Sequence, residues 1–303
     1  MSRGARLVSR GAVGVALATV GAIIFGVSAT LVAFAIEDID PFRLASLRIA
    51  VAGLVLLPWA IVHRAAIWRA PFLVAVVGLL QIVLNGALYI AIDRIGVGPA
   101  VGLEFLAPVL VVTWDRVAGH AHPRPITWAA VASAVVGVAL LVQIGDLESL
   151  DMVGLLAGLI SAVGLAIYLR LAEHVGAIVG GFPLAAGAIT IGGIAGFFLA
   201  RPWTMPIPSD PVVIWSVVAL GTLALALPLS MEIAALSRVP ARIIGVIITI
   251  EPVAAAVTAW IFLDQALGMS QIFGLILIVV AVAAVSLTAS SSRPQSVAVP
   301  EPC

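Results

Sequence analysis

The sequence predicts an all-α polytopic membrane protein of ten transmembrane helices, and three observations carry the prediction. Hydrophobic residues fill 63% of the 303 positions and charged residues 10%, with a mean hydropathy of +1.24; a water-soluble domain cannot cover its surface with so few charges. Apolar runs recur along the whole chain at lengths near the roughly 20 residues that cross a hydrocarbon core as a helix, leaving no room for a separate soluble domain. The second half of the chain also repeats features of the first at a fixed offset.

The first run, 12–35, follows Arg3, Arg6 and Arg10, a start that superficially matches a signal peptide. It is longer than the usual apolar region of about 7–15 residues and further spans follow at once, so it reads as the first anchor. The remaining runs fall at 42–62, 71–91, 97–114, 126–143, 152–171, 179–200, 211–234, 239–263 and 268–289, bounded by charges, Pro or Gly. Residues 290–303 are rich in Ser, Pro and Val without helical periodicity, and are predicted to form a disordered cytoplasmic tail.

With the N-terminus cytoplasmic, the inner loops and ends carry Arg3, Arg6, Arg10, Arg64, Arg69, Arg116, Arg124, Arg170, Arg238, Arg242 and Arg293, as the positive-inside rule requires. Both termini then lie inside, and the outer loops collect Glu37, Asp38, Asp40, Asp146, Glu148, Asp151, Asp210 and Asp264. The formal net charge of zero and the scattering of the arginines give no electrostatic case for nucleic acid. Cys303 is the sole cysteine, which excludes an intramolecular disulfide. His120 and His122 flank an alanine in an inner loop, but with His63 and His174 elsewhere and no thiol nearby they read as solvated, and no metal site is expected.

Sliding the chain by 144 residues superimposes Ala91, Arg94 and Pro108 on Ala235, Arg238 and Pro252. This divides it into five-helix halves at 11–144 and 152–289. An odd number of crossings per half makes the second enter the membrane from the opposite side, the inverted repeat common among secondary transporters.

Four stretches carry a family resemblance: ALPLSMEIAALSRVPARIIG from Ala226 to Gly245, TIEPVAAAVTAWIFLDQ from Thr249 to Gln265, GLEFLAP from Gly102 to Pro108, and LRIAVAGLVLLPW from Leu47 to Trp59. Through them nearly the whole chain resembles the EamA-type drug/metabolite transporters, and within these the bacterial threonine and homoserine exporter group. Two positions depart from the group's pattern: Asp264-Gln265 stands where a Gly-Glu pair is usual, and the small polar residue often found before Glu-Pro is displaced to Thr249. The resemblance implies the drug/metabolite transporter fold and an inner-membrane exporter of amino acids or related metabolites, or of drugs, driven by protons. The alternative class, a membrane-embedded enzyme, would need clustered nucleophile, acid and base groups or metal ligands, and the sequence shows no such constellation; no enzyme activity and no cofactor are expected, and a homodimer is admitted. A Walker-type phosphate loop is absent from the sequence, so active transport would draw on an ion gradient or a partner ATPase.

Glu104 and Glu251 are the leading candidates for binding substrate or proton, because each interrupts an apolar helix, where a charge costs roughly 3 kcal/mol or more and tends to face the interior or a wet cavity. By helical rise Glu251 lies about 18 Å into the ninth segment, near the midplane, and Glu104 about 10 Å from the outer surface. The alternative is a protonated or Arg-paired structural glutamate. Pro108 and Pro252 withdraw a donor from the carbonyls of Glu104 and Ile248, predicting helix breaks that either line a cavity or serve packing. Glu104 maps onto Ile248 and Glu251 onto Ala107, so the site would be chemically asymmetric in a pseudo-symmetric frame.

Arg48 is either a snorkelling interfacial residue or the bidentate partner of a substrate carboxylate. Gln81, Asn85 and Tyr89 recur every fourth residue as one polar stripe, lining a pathway or bonding neighbouring helices; Ser161 and Tyr168 follow the same logic. Glu232, Arg238 and Arg242 surround an inner turn, as a cytoplasmic gate or as topology markers. Gly98 and Gly102, Gly154 and Gly158, and Gly192 and Gly196 have the spacing of close helix packing.

Overall fold

The computed structural model describes residues 3–117, 125–143, 151–204, 211–236, 238–239 and 241–289. His120, His122 and the expected tail 290–303 lie outside them. The described elements are helices α1 (Arg3–Ile36), α2 (Pro41–Val62), α3 (Arg64–Ile67), α4 (Pro71–Ile95), α5 (Val97–Glu104), α6 (Ala107–Val117), α7 (Pro125–Leu141), α8 (Met152–Val179), α9 (Gly181–Ala200), α10 (Pro211–Gly221), α11 (Leu227–Leu236), α12 (Ala241–Ile247), α13 (Ile250–Leu263) and α14 (Met269–Ala289). A π-helical segment, Thr222–Ala226, joins α10 to α11. Seven helical stretches among the described residues are long and apolar enough to cross a membrane: Gly11–Ile36, Pro41–Val62, Pro71–Ile95, Met152–Val179, Gly181–Thr204, Pro211–Leu236 and Ile243–Leu263. Val97–Val111, Trp128–Leu141 and Met269–Val285 are apolar but shorter.

Local chemistry sets the helix ends. Asp40 caps α2 by accepting the Arg43 N–H at 3.0 Å, with Pro41 in the first turn, and Asp151 caps α8 through Gly154 at 2.9 Å. Gly96 (φ +82°) and Gly180 (φ +92°) stop α4 and α8 in a conformation that favours glycine. The latter corrects the sequence-based boundary near 171. The helix continues past Arg170, whose guanidinium lies 3.6 Å from Glu173 one turn on; charged residues mark where a membrane ends, whereas backbone conformation marks where a helix ends.

The proline-directed breaks are present with a different hydrogen-bond pattern. Pro108 and Pro252 sit in the first turns of α6 and α13, where a missing N–H costs nothing. The turn before α6 donates from Phe105 to Val101 (3.1 Å) and from Leu106 to Leu103 (3.0 Å), stepping over the Gly102 carbonyl. Before α13, the Ile248 carbonyl is not left open as expected: a tighter turn brings it the Glu251 N–H at 3.0 Å. The Thr249 hydroxyl covers the Val246 carbonyl at 2.7 Å.

Contacts place successive connections at two opposite ends of the bundle. At one end the Val97 N–H donates to Gln265 Oε1 at 3.0 Å, and Arg94 lies 3.7 Å from Asp151. At the other, the rings of His63 and Phe182 meet edge to face at 5.7 Å, and Gly14 of α1 abuts Arg238 and Val239. The packing is also preserved when the two halves are exchanged: α2 pairs with α9 and α7 with α14, while α8 against α4, α5 and α6 is matched by α1 against α10, α11 and α13.

The two self-matched pairs approach backbone to backbone. A Cβ on Gly53 would stand 2.7 Å from the Ile189 carbonyl and one on Gly193 2.8 Å from that of Ile49; between α7 and α14, Gly137 and Gly274 each face the other's carbonyl at 2.7 and 2.4 Å. Of the glycine pairs singled out in the sequence, Gly192 and Gly196 meet backbone in this way, whereas Gly102 and Gly158 receive the side chains of Leu141 and Leu103. With no hydrophobic drive between helices in lipid, such contacts rest on close van der Waals fit. Gly193→Ala is therefore expected to destabilise the purified protein by about 1–3 kcal/mol, measured as a lowered unfolding temperature, whereas Gly11→Ala, with no atom within 4 Å of the new Cβ, leaves it unchanged.

Candidate functional site

Around the breaks lies a cavity of about 210 Å³, bounded by α1, α2, α4, the α5–α6 junction, α8, the π-helical segment with α11, and the α12–α13 junction. Its walls are mainly apolar, with Phe25, Leu88, Phe105, Leu165 and Leu229 among them. Into this surround project Arg48, Gln81, Asn85, Tyr89, Glu104, Tyr168, Glu232 and Glu251.

Arg48 is 4% exposed, so it does not run out along the helix to an aqueous surface as the snorkelling alternative requires. Its Nη1 donates to the Tyr89 hydroxyl and its Nη2 to the Ala224 carbonyl at 2.6 Å. Ala224 lies in the π-helical segment, whose altered register turns a carbonyl away from the helix axis and makes it available to a side chain. Gly221, just before it, is packed against Val51 and the Arg48 carbonyl, which holds this segment close to α2. The Arg48 guanidinium also lies 5.7 Å from the Tyr89 ring centroid. Its Nε is buried without a hydrogen-bond partner, and no carboxylate among the described residues lies within ion-pair distance of it.

Glu104, the last residue of α5, is buried and accepts a hydrogen bond from the Ser161 hydroxyl of α8 at 2.9 Å. Glu251 is half-buried at the second position of α13, directly after the break. Glu232 is half-buried on α11. Asn85 Nδ2 donates to the Gln81 carbonyl at 2.9 Å and to Gln81 Oε1 at 3.0 Å, so these two residues bond each other as well as lining the cavity. Tyr168 is half-buried on α8, which packs against α4, and lines the same cavity.

The candidates from the sequence therefore separate. Glu251, Glu104, Arg48, Gln81, Asn85, Tyr168 and Pro108 line one cavity, and Glu232 joins them instead of the turn where it had been grouped with two arginines. Arg238 is exposed, donates to the Ala234 carbonyl and forms no ion pair with Glu232; Arg242 falls within α12. Pro252 is buried in α13, off the cavity wall. Glu232 lies inside the apolar run 211–234, so the rule that sends intramembrane charges to interior sites already pointed to the cavity. The tie from Tyr89 to Arg48 had only the four-residue stripe as a signal, and the π-helical segment had Pro228, which has no N–H to offer the Ala224 carbonyl four residues before it.

Helices broken around a cavity that holds ionisable side chains, within a multi-pass apolar bundle, define the transporter class of membrane proteins, in which irregular backbone at depth is tolerated where it lines a cavity. The chain belongs to the EamA-like transporter family, whose model matches residues 12–143 and again 152–287. It is 31% identical over 252 residues to the threonine/homoserine exporter RhtA of Escherichia coli (strain K12) and 30% identical over 252 residues to that of Salmonella typhimurium (strain SL1344), covering 80% of this chain and 81% of each relative. An uncharacterized inner membrane transporter of Salmonella typhimurium (strain LT2), YicL, is 23% identical over 284 residues, 88% of this chain and 93% of that one. A solved crystal structure, 18% identical, shares the fold with a TM-score of 0.64 over 92% of this chain and 99% of that chain.

The Ser161 hydroxyl supplies a side-chain bond to Glu104, and a hydrogen bond of this kind contributes about 1 kcal/mol net. Ser161→Ala is expected to lower unfolding stability by that order, read from thermal melts of the purified protein; an unchanged melt would show that another group replaces the hydroxyl.

Proposed function

We propose that the protein is a proton-coupled exporter of small amino acids such as threonine and homoserine, seated in the bacterial inner membrane. The observation that carries the reading is the placement of three carboxyl side chains and one arginine around a single cavity inside an apolar bundle. Buried ionisable groups are costly in such surroundings and mark substrate and proton pathways. A zwitterion needs both kinds of partner: a carboxylate for its ammonium group and a guanidinium for its carboxylate.

In this reading Glu251 and Glu104 hold either protons or the substrate ammonium, Arg48 takes the carboxylate, and Gln81, Asn85 and Tyr168 orient the bound solute. Occupancy is exclusive, so loading the proton unloads the substrate. Ten crossings arranged as two inverted five-helix halves then rock about the cavity and expose it alternately. Pro108 and Pro252 set the breaks at the site, while Arg238 and Arg242 flank the inner mouth with Glu232 above them. The alternation of loops between two ends of the bundle and the positive charge of the inner loops support cytoplasmic termini. A second reading, export of bulkier drugs or other metabolites, draws on the apolar walls of Phe25, Leu88, Phe105, Leu165 and Leu229.

Cells expressing the protein are expected to accumulate threonine and homoserine outside when a broad metabolite panel is followed; accumulation of other metabolites alone would replace the amino-acid reading by the second. In proteoliposomes, Glu251→Gln is expected to reduce efflux driven by a pH gradient to background while the protein remains folded in the membrane. Undiminished gradient-driven efflux would remove Glu251 from the coupling step.

A further inference from the structure

Arg48 brings a buried positive charge into the cavity, yet its partners in the structure are neutral: the Tyr89 hydroxyl and the Ala224 carbonyl. Neutral dipoles solvate a guanidinium without cancelling its charge, and the carboxyl groups that share the cavity make no direct ion pair with it. Glu104 of the same cavity makes no ion pair with it and is engaged by Ser161 from α8. What the guanidinium does have is a free donor, the Nε–H, buried and unpartnered in a residue that lines the cavity. Five donors in a fixed plane give Arg the geometry to bind a carboxylate with two bonds. Two of its nitrogens are already tied, so the plane of the guanidinium is fixed before any ligand arrives.

We propose that Arg48, fixed by Tyr89 and the π-helical carbonyl of Ala224, is a preorganised receptor for one carboxylate group of the solute, and that Tyr89 is the positioning residue that confers selectivity for acids over their amides. This deepens the exporter reading and rests on the cavity being the transport site. Tyr89 is suited to the task because it is 1% exposed and shares the α4 stripe with Gln81 and Asn85, so its hydroxyl has a fixed place. The group held by Arg48 carries a single negative charge. Glu104, Glu232 and Glu251 face the same space, and their carboxyl groups make a poor environment for a dianion such as a phosphate monoester.

The test uses the full chain in lipid nanodiscs and follows its unfolding temperature with acetate, L-threonine, L-homoserine, L-threoninamide and inorganic phosphate. In the wild type the three carboxylates are expected to raise the unfolding temperature and the amide and phosphate to leave it unmoved. Tyr89→Phe keeps the ring and loses the hydroxyl. It should weaken threonine binding about tenfold, the equivalent of one hydrogen bond, and raise KM for threonine efflux with the maximal rate retained. Arg48→Gln, which removes the charge, should abolish the distinction between acid and amide; should that variant fail to fold, Tyr89→Phe carries the test alone. The proposal is overturned if no carboxylate protects, if phosphate protects instead, if acid and amide protect equally, or if Tyr89→Phe binds threonine as the wild type does. Amino-acid efflux without acid selectivity would sink this inference and spare the exporter reading. Acid selectivity without amino-acid efflux would do the reverse.

Discussion

Inside a bilayer no water waits to satisfy a backbone amide or carbonyl, and that constraint governs where this chain is allowed to be irregular. It departs from the α-helix within its apolar segments at Phe105–Leu106, at Thr222–Ala226 and at Ile248–Thr249, and all three departures border one cavity. Each is repaired locally. Short turns redirect N–H groups to Val101, Leu103 and Ile248, the Thr249 hydroxyl covers Val246, and Arg48 covers Ala224. Placed on the lipid face, the same interruptions would cost several kcal/mol for each unsatisfied group. Confined to the interior, they supply the polar surface that a solute site needs.

The second structural requirement is that the halves fit with little polar adhesive on their long faces. Glycine seams between α2 and α9 and between α7 and α14 supply it, since their backbones come close enough that a Cβ would strike a carbonyl. Polar ties between the halves are few among the described residues, and one lies on a glycine seam, where Thr190 donates to the Gly53 carbonyl at 3.3 Å. Thr30 and Thr258 share a hydrogen bond of 2.7 Å between α1 and α13, and Ser133 donates to the Leu277 carbonyl at 3.3 Å between α7 and α14. Close fit thus carries the frame, leaving the larger polar groups for the cavity.

Much of this was legible in the sequence because lipid imposes a coarse rule on every segment. Apolar runs ending at charges located the helices, and prolines inside two of the runs located two of the three breaks. The rule reads membrane depth and not backbone geometry, which is why it ended the sixth run near Arg170 when Gly180 ends the helix. The site was legible to the same degree. Glu104, Glu251 and Arg48 stand out as charges in apolar runs, and the stripe of Gln81, Asn85 and Tyr89 stands out by its period. What escaped was partnership across the fold. Neither the pairing of Arg48 with Tyr89, 41 residues away, nor that with Ala224, 176 residues away, leaves a local pattern. The π-helical segment itself contains no proline or glycine, but Pro228, four residues past Ala224, has no N–H to give that carbonyl; the packing of Gly221 against α2 and the buried guanidinium's demand for an acceptor complete the arrangement.

The two matched halves share a frame and divide the chemistry. Arg48, Gln81, Asn85, Tyr89 and Glu104 come from the first, and Tyr168, Glu232 and Glu251 from the second. Two of the cavity's hydrogen bonds cross between halves: Arg48 to Ala224, and Ser161 to Glu104. The bond from Arg48 to Tyr89 stays within the first half. Any relative movement of the halves must therefore stretch or exchange the two crossing bonds, while Tyr89 keeps the guanidinium in place. A solute carboxylate on Arg48 or a proton on Glu104 would change the strength of those crossing bonds directly. The groups best placed to sense occupancy are thus also the ones that tie the halves together.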